Sequence, residues 1–134
     1  MNIVQAVAGE PILLGRAGEN LHTKIVFDVS AWLEEYPEAE LMILMQRPGD
    51  SAAYPVHEDY VQLEDTQLFW TLTNADLKSW GVGKCELMMV KDTVIVKSAI
   101  WEVLIESALN GSDDPPEPFN NWLAEYDKIQ QRSV

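Results

Sequence analysis

Apolar and polar residues alternate with a period of two through most of the first 109 positions, and this constrains the fold more than any other feature. Successive side chains on an extended strand point to opposite faces, so the pattern marks strands with one face buried and one wet. In residues 23–29, Ile25, Phe27 and Val29 oppose Lys24 and Asp28. In 61–72, Val61 and Leu63 hold one phase until Asp65-Thr66 resets it to Leu68, Trp70 and Leu72. Lys84 and Glu86 point away from Cys85, Leu87 and Met89. Residues 41–45 (Leu-Met-Ile-Leu-Met) are apolar on both phases, which predicts a central strand covered on both sides. Over 93–108 Lys97 is outward in one phase, and Glu102 and Glu106 in the other. One register cannot satisfy both, so a bulge or bend is expected near Ser98-Ala99, with Asp92-Thr93 as a tight hairpin before it.

Turn residues punctuate these runs at Gly9-Glu10-Pro11, Ala17-Gly18-Glu19-Asn20, Pro48-Gly49-Asp50, Gly81-Val82-Gly83 and Asn110-Gly111. Pro48 and Gly49 suit a type II turn, and Arg16 and Glu19 are placed to pair across theirs. Short helical turns are expected at 31–36, after Ser30 as cap, and at 74–80, capped by Asn74. Seven or eight short strands so spaced predict an all-β antiparallel sandwich or barrel over residues 1–110.

The 134 residues, 47% of them hydrophobic, suffice for one domain with a real core. Nine Lys+Arg against 22 Asp+Glu give a net charge of −13, which disfavours nucleic acid and anionic membranes as partners. Cys85 is the single cysteine, so no internal disulfide can form. No apolar run has the length of a membrane span. The first eight residues lack the basic start and apolar stretch of a signal peptide, so folding in the cytoplasm is expected.

The character changes after Gly111. Residues 111–118 are acidic and proline-rich, which predicts a stiff extended connector. Phe119, Trp122, Tyr126 and Ile129 then recur at helical spacing, so 119–134 is expected to form a helix with one apolar stripe. That stripe serves equally for self-association as a coiled coil or for packing on the sheet.

Groupings that would carry chemistry are sparse. His57-Glu58-Asp59 has metal-ligand atom types, but adjacent residues on a strand cannot all face one ion, and His22 is in phase with outward Lys24. No serine sits in a nucleophile elbow, and inward Cys85 is a packing residue. Gly81-Val82-Gly83-Lys84 leads into a strand rather than the helix a phosphate cradle requires. Neither a metal, a cofactor nor an enzymatic activity is expected. Trp70 and Trp101 are read as core. Trp32 and Trp80 are read as lids on the sandwich ends, and with Tyr54 and Tyr60 they form the alternative reading, a carbohydrate-stacking platform.

Several segments resemble the small N-terminal domains of tail-fibre or baseplate proteins from phages and prophages of Gram-positive gut bacteria. They are Gly15-Arg16-Ala17-Gly18-Glu19-Asn20, Val26-Phe27-Asp28-Val29-Ser30-Ala31-Trp32, Gln46-Arg47-Pro48-Gly49-Asp50, Tyr54-Pro55, Cys85-Glu86-Leu87 and Lys97-Ser98-Ala99-Ile100-Trp101. Pro115-Pro116-Glu117-Pro118 followed by Trp122 belongs to the same set. More distantly, the layout is similar to the immunoglobulin-like N-terminal domain of baseplate upper proteins. The resemblance implies an immunoglobulin-like β-sandwich that anchors a fibre, a stalk that self-associates as a homotrimer, other tail proteins as partners, and a place in the virion. It implies no catalytic residues.

Overall fold

The computed structural model describes residues 1–109. The connector expected at 111–118, the helix at 119–134 and its stripe Phe119, Trp122, Tyr126 and Ile129 lie outside the described residues.

Among the described residues, ten strands form two sheets. In chain order they are β1 (Asn2–Gln5), β2 (Ile12–Arg16), β3 (Thr23–Asp28), β4 (Glu40–Gln46), β5 (Tyr54–Pro55), β6 (Val61–Glu64), β7 (Gln67–Thr71), β8 (Gly81–Lys91), β9 (Val94–Lys97) and β10 (Trp101–Glu106). One sheet has the order β1-β3-β7-β6; the other runs β2-β10-β8-β4-β5, with β9 also on β8. One helix, α1 (Ser30–Glu35), and a single helical turn at Glu58–Tyr60 complete the described elements.

The inward phases meet in one core. Ile25, Phe27, Leu68 and Trp70 from the smaller sheet pack against Ile12, Leu14, Ile43, Met45, Cys85, Leu87, Val103 and Ile105 from the larger. Phe27 and Trp101 meet across it with centroids 5.2 Å apart and their rings tilted at 59°. Burying a Leu-, Ile- or Phe-sized side chain stabilises by roughly 1.5–3 kcal/mol, so this cluster is the main source of stability.

The sheets are mixed, which corrects the expected antiparallel arrangement and strand count. β1 pairs in parallel with β3, and β2 in parallel with β10. The N-terminal segment joins one sheet, turns through Gly9-Glu10-Pro11 and joins the other, so the chain borders both sheets with two short strands. Nothing local in the sequence specifies such pairing, because each partner is remote along the chain.

The register break in 93–108 falls where the phase conflict places it. Lys97 pairs with Met88, and Trp101 with Cys85, so three residues of one strand face two of β8. At this bulge the Leu87 N–H donates to the Ser98 hydroxyl at 2.8 Å, and the Ser98 N–H donates to the Leu87 carbonyl at 3.0 Å. Asp92-Thr93 closes the β8–β9 hairpin, with Asp92 at φ 53°. The break at Asp65-Thr66 is also a hairpin, with Asp65 at φ 53°.

Three local expectations are corrected. Ser30 lies inside α1 rather than capping it, and its N–H donates to the Asp28 carboxylate at 2.9 Å. That bond holds the Asp28 carboxyl below its ordinary pKa. At 73–77 the cap is Thr73, not Asn74. Thr73 and Asp76 exchange backbone-to-side-chain bonds reciprocally, as in a capping box. Arg16 does not pair with Glu19; Glu19 accepts the Arg16 backbone N–H at 2.6 Å, and the guanidinium reaches Glu106 at 3.5 Å.

β4 is interior to its sheet, but only Ile43 and Met45 are buried, and Met42 and Leu44 on its other face are half-buried. The expectation of full cover on both sides therefore holds for one side only.

Candidate functional site

The Pro48 turn anchors a polar network at one end of the sandwich. Pro48 and Gly49 fill the central positions of a turn closed by the Asp50 N–H on the Arg47 carbonyl at 3.0 Å, with Gly49 at φ 84°. Arg47 Nε donates to Asp50 at 2.8 Å, its Nη1 donates to the Ala75 carbonyl at 3.1 Å, and its guanidinium lies 5.0 Å from the Tyr54 ring centroid. The Arg47 hydrogen bond holds the Asp50 carboxyl below its ordinary pKa. Tyr54 donates its hydroxyl to Asp76 at 2.6 Å, and Thr73 supplies a backbone N–H and a hydroxyl to the other carboxylate oxygen. Burial, with the bond to Asp76, pushes the Tyr54 phenol well above its ordinary pKa. A phenol so held keeps its proton. The network ties the 73–80 loop to the β4–β5 connection.

The four platform residues stand on four different segments. Trp32, on α1, packs half-buried against the core and shares a small cleft with Trp101. Tyr54 is bound to Asp76 as described. Tyr60 is exposed in the helical turn at Glu58–Tyr60, its ring edge-on to His57. Trp80 is 67% exposed just before β8, so it lids nothing; that expectation is corrected. Its neighbour Gly81 lies close against Pro48.

His22 and His57 are both exposed. His57 Nδ1 accepts the Asp59 N–H at 3.1 Å, an ordinary cap of a helical turn. Among the described residues no group of three metal-ligating side chains comes together. Cys85 is 2% exposed in the core, and burial pushes its thiol up to about 12.

The outer faces of the two sheets differ, and this the alternation alone did not show. The smaller sheet presents mainly polar residues, Lys24, Asp28, Gln62, Glu64, Gln67 and Thr71, with Lys24 reaching over Phe69 and Ile3 exposed beside it on β1. On the larger sheet Leu13, Leu104 and Val82 lie directly opposite one another on β2, β10 and β8. They are 47%, 36% and 58% exposed. A second apolar row, Met42 beside Met88 and Val90 beside Ile95, crosses β4, β8 and β9. Between the rows, Lys84 faces Glu102, and Lys97 pairs with Glu86 at 3.6 Å. Ile100, 62% exposed, projects from the bulge beside a shallow pocket lined by Leu44, Cys85 and Glu86. On an acidic molecule this face combines apolar rows with balanced charges, a composition suited to contact with another macromolecule. The signal available in the sequence was that Val82, Met88 and Val90 are apolar in the outward phase of β8.

No family model matches the chain, and no curated protein matches it. Among the described residues, no helix is long and apolar enough to cross a membrane.

Proposed function

We propose that this protein is a non-enzymatic structural component of a phage or prophage tail or baseplate, an immunoglobulin-like anchoring or assembly module working through protein–protein contacts. The observation that carries the reading is the outer face of the larger sheet, with Leu13–Leu104–Val82 in register and further apolar residues beyond it. Two sheets packed over one core support the immunoglobulin-like description. The ordered resemblance of segments from Gly15 to Trp101 supplies the tail and baseplate context. In this reading other tail proteins, and further copies of the chain joined through Phe119, Trp122, Tyr126 and Ile129, are the partners. The test is to induce particles from a strain carrying the gene, band them on a density gradient and identify their proteins by mass spectrometry. The chain is expected in intact particles at a fixed ratio to the other tail proteins. Its absence from particles that retain their tails would overturn the reading.

Trp80 favours a second reading, carbohydrate binding, because an indole this exposed beside the polar Pro48 turn offers a sugar ring a stacking face. Titration of tryptophan fluorescence with cell-wall polysaccharide separates the two. Saturable binding lost in Trp80→Ala supports the second reading, and a flat titration removes it.

A further inference from the structure

β5 covers only part of the β4 edge. It pairs with Leu44 and Met45, and the Val56 N–H on the Ile43 carbonyl at 2.8 Å is the last bond along that side. From there to Glu40, no strand among the described residues lies on that side of β4, whose other side pairs with β8. The chain instead turns away through His57 into Glu58–Tyr60 and then enters β6 in the opposite sheet. The two sheets are therefore not closed on each other along this seam. A groove of about 540 Å³ opens there, lined by Glu40, Leu41, Met42, Val56, Glu58 and Val61 together with Pro55 and His57.

Three features of this groove converge. Its floor is apolar, from Leu41, Val56 and Val61. One wall is a strand edge that has lost its neighbour, and an unpaired edge is a template for an added strand. Its rim carries Glu40 on β4 and Glu58 on the helical turn, both exposed, and neither makes an ion pair among the described residues. Among the described residues no Lys or Arg lines it.

We infer that this groove is a docking site for an extended polypeptide segment in which apolar anchors alternate with Lys or Arg. The segment adds as a short strand beside residues 40–42. Its apolar side chains fill the floor, and its cations meet Glu40 and Glu58. Charge selects the occupant: an acidic segment, or a second copy of this −13 chain presenting its own acidic surface, is repelled from the rim. The groove meets the second apolar row only at Met42 and does not include Leu13, Leu104 or Val82, so its test can fail without touching the tail reading.

The test uses the full chain, isotope-labelled, with three seven-residue peptides that alternate Lys with Val, Lys with Ser, and Glu with Val. The Lys–Val peptide is expected to shift the amide resonances of Leu41, Met42, Val56 and Val61. Its affinity is expected to fall about tenfold in Glu40→Lys/Glu58→Lys, whose exposed substitutions leave the rest of the spectrum in place. The Lys–Ser and Glu–Val peptides are expected to bind at least about tenfold more weakly. Equal binding of the Lys–Ser peptide would reduce the effect to unspecific attraction and overturn the proposal. So would binding of the Glu–Val peptide, shifts confined to other surfaces, no binding at all, or indifference to the double substitution.

Discussion

Cys85 and Tyr54 carry their chemistry in the sense opposite to reactivity. Both are weak acids whose neutral form is favoured by burial, so each binds its proton more tightly folded than unfolded. The stability this confers is whole below the unfolded pKa and is lost as pH rises through the folded one. For Cys85 that window runs from about 9 to about 12. Urea titrations should therefore show falling stability across this range, and Cys85→Ala should flatten the loss. A thiol reagent at pH 8 should leave the native protein unmodified and react fully in denaturant, whereas rapid native labelling would show that the core placement is wrong. Tyr54→Phe removes a donor from the buried Asp76 carboxylate, so it should cost about 1–3 kcal/mol by the same titrations. Alternation made the inward position of Cys85 legible. The Tyr54–Asp76 bond was not legible, because 22 residues and a turn separate the partners.

The strands were readable from period-two patterning wherever one face is wet, and the hairpins from Asp65-Thr66 and Asp92-Thr93. The bulge was readable from the conflict between Lys97 and Glu102. Its chemistry is now specific: Ser98 presents a hydroxyl to the Leu87 N–H, so Ser98→Ala should cost about 1 kcal/mol, and Ser98→Thr should retain the bond. β8 and β4 approach so closely at Gly83 that an added Cβ would strike the Gln46 carbonyl. Backbone cannot move aside as a side chain can, so Gly83→Ala should destabilise by at least about 1–3 kcal/mol, read from the thermal midpoint. An unchanged midpoint would contradict the register of β4 and β8. The parallel partners of β1 and β2 were not legible, since Asn2–Gln5 and Ile12–Arg16 carry no local mark of the strand they join. Nor was the seam groove, which exists because β5 stops after two residues.

The asymmetry of the whole molecule is in its outer faces. One sheet shows water a mainly polar surface, broken by Ile3 and Phe69; the other shows it apolar rows whose charges are already balanced by Lys84, Glu102, Lys97 and Glu86. Leaving Leu13, Val82, Ile95 and Ile100 exposed forgoes roughly 25 cal/mol for each Å² of apolar surface that a partner would cover. On the proposed reading, covering these residues in an assembly would recover that deficit. Leu104→Glu should accordingly leave stability within about 0.5 kcal/mol, since the position is already solvent-facing, while abolishing incorporation into particles. A photo-crosslinking residue at Leu104, activated in cells producing particles, tests the assembly reading most directly. The expected result is a specific adduct to another tail protein or to a second copy of the chain, with none from the same residue placed at Gln62 on the polar sheet. Free, uncrosslinked protein from both positions in tail-bearing particles would contradict it.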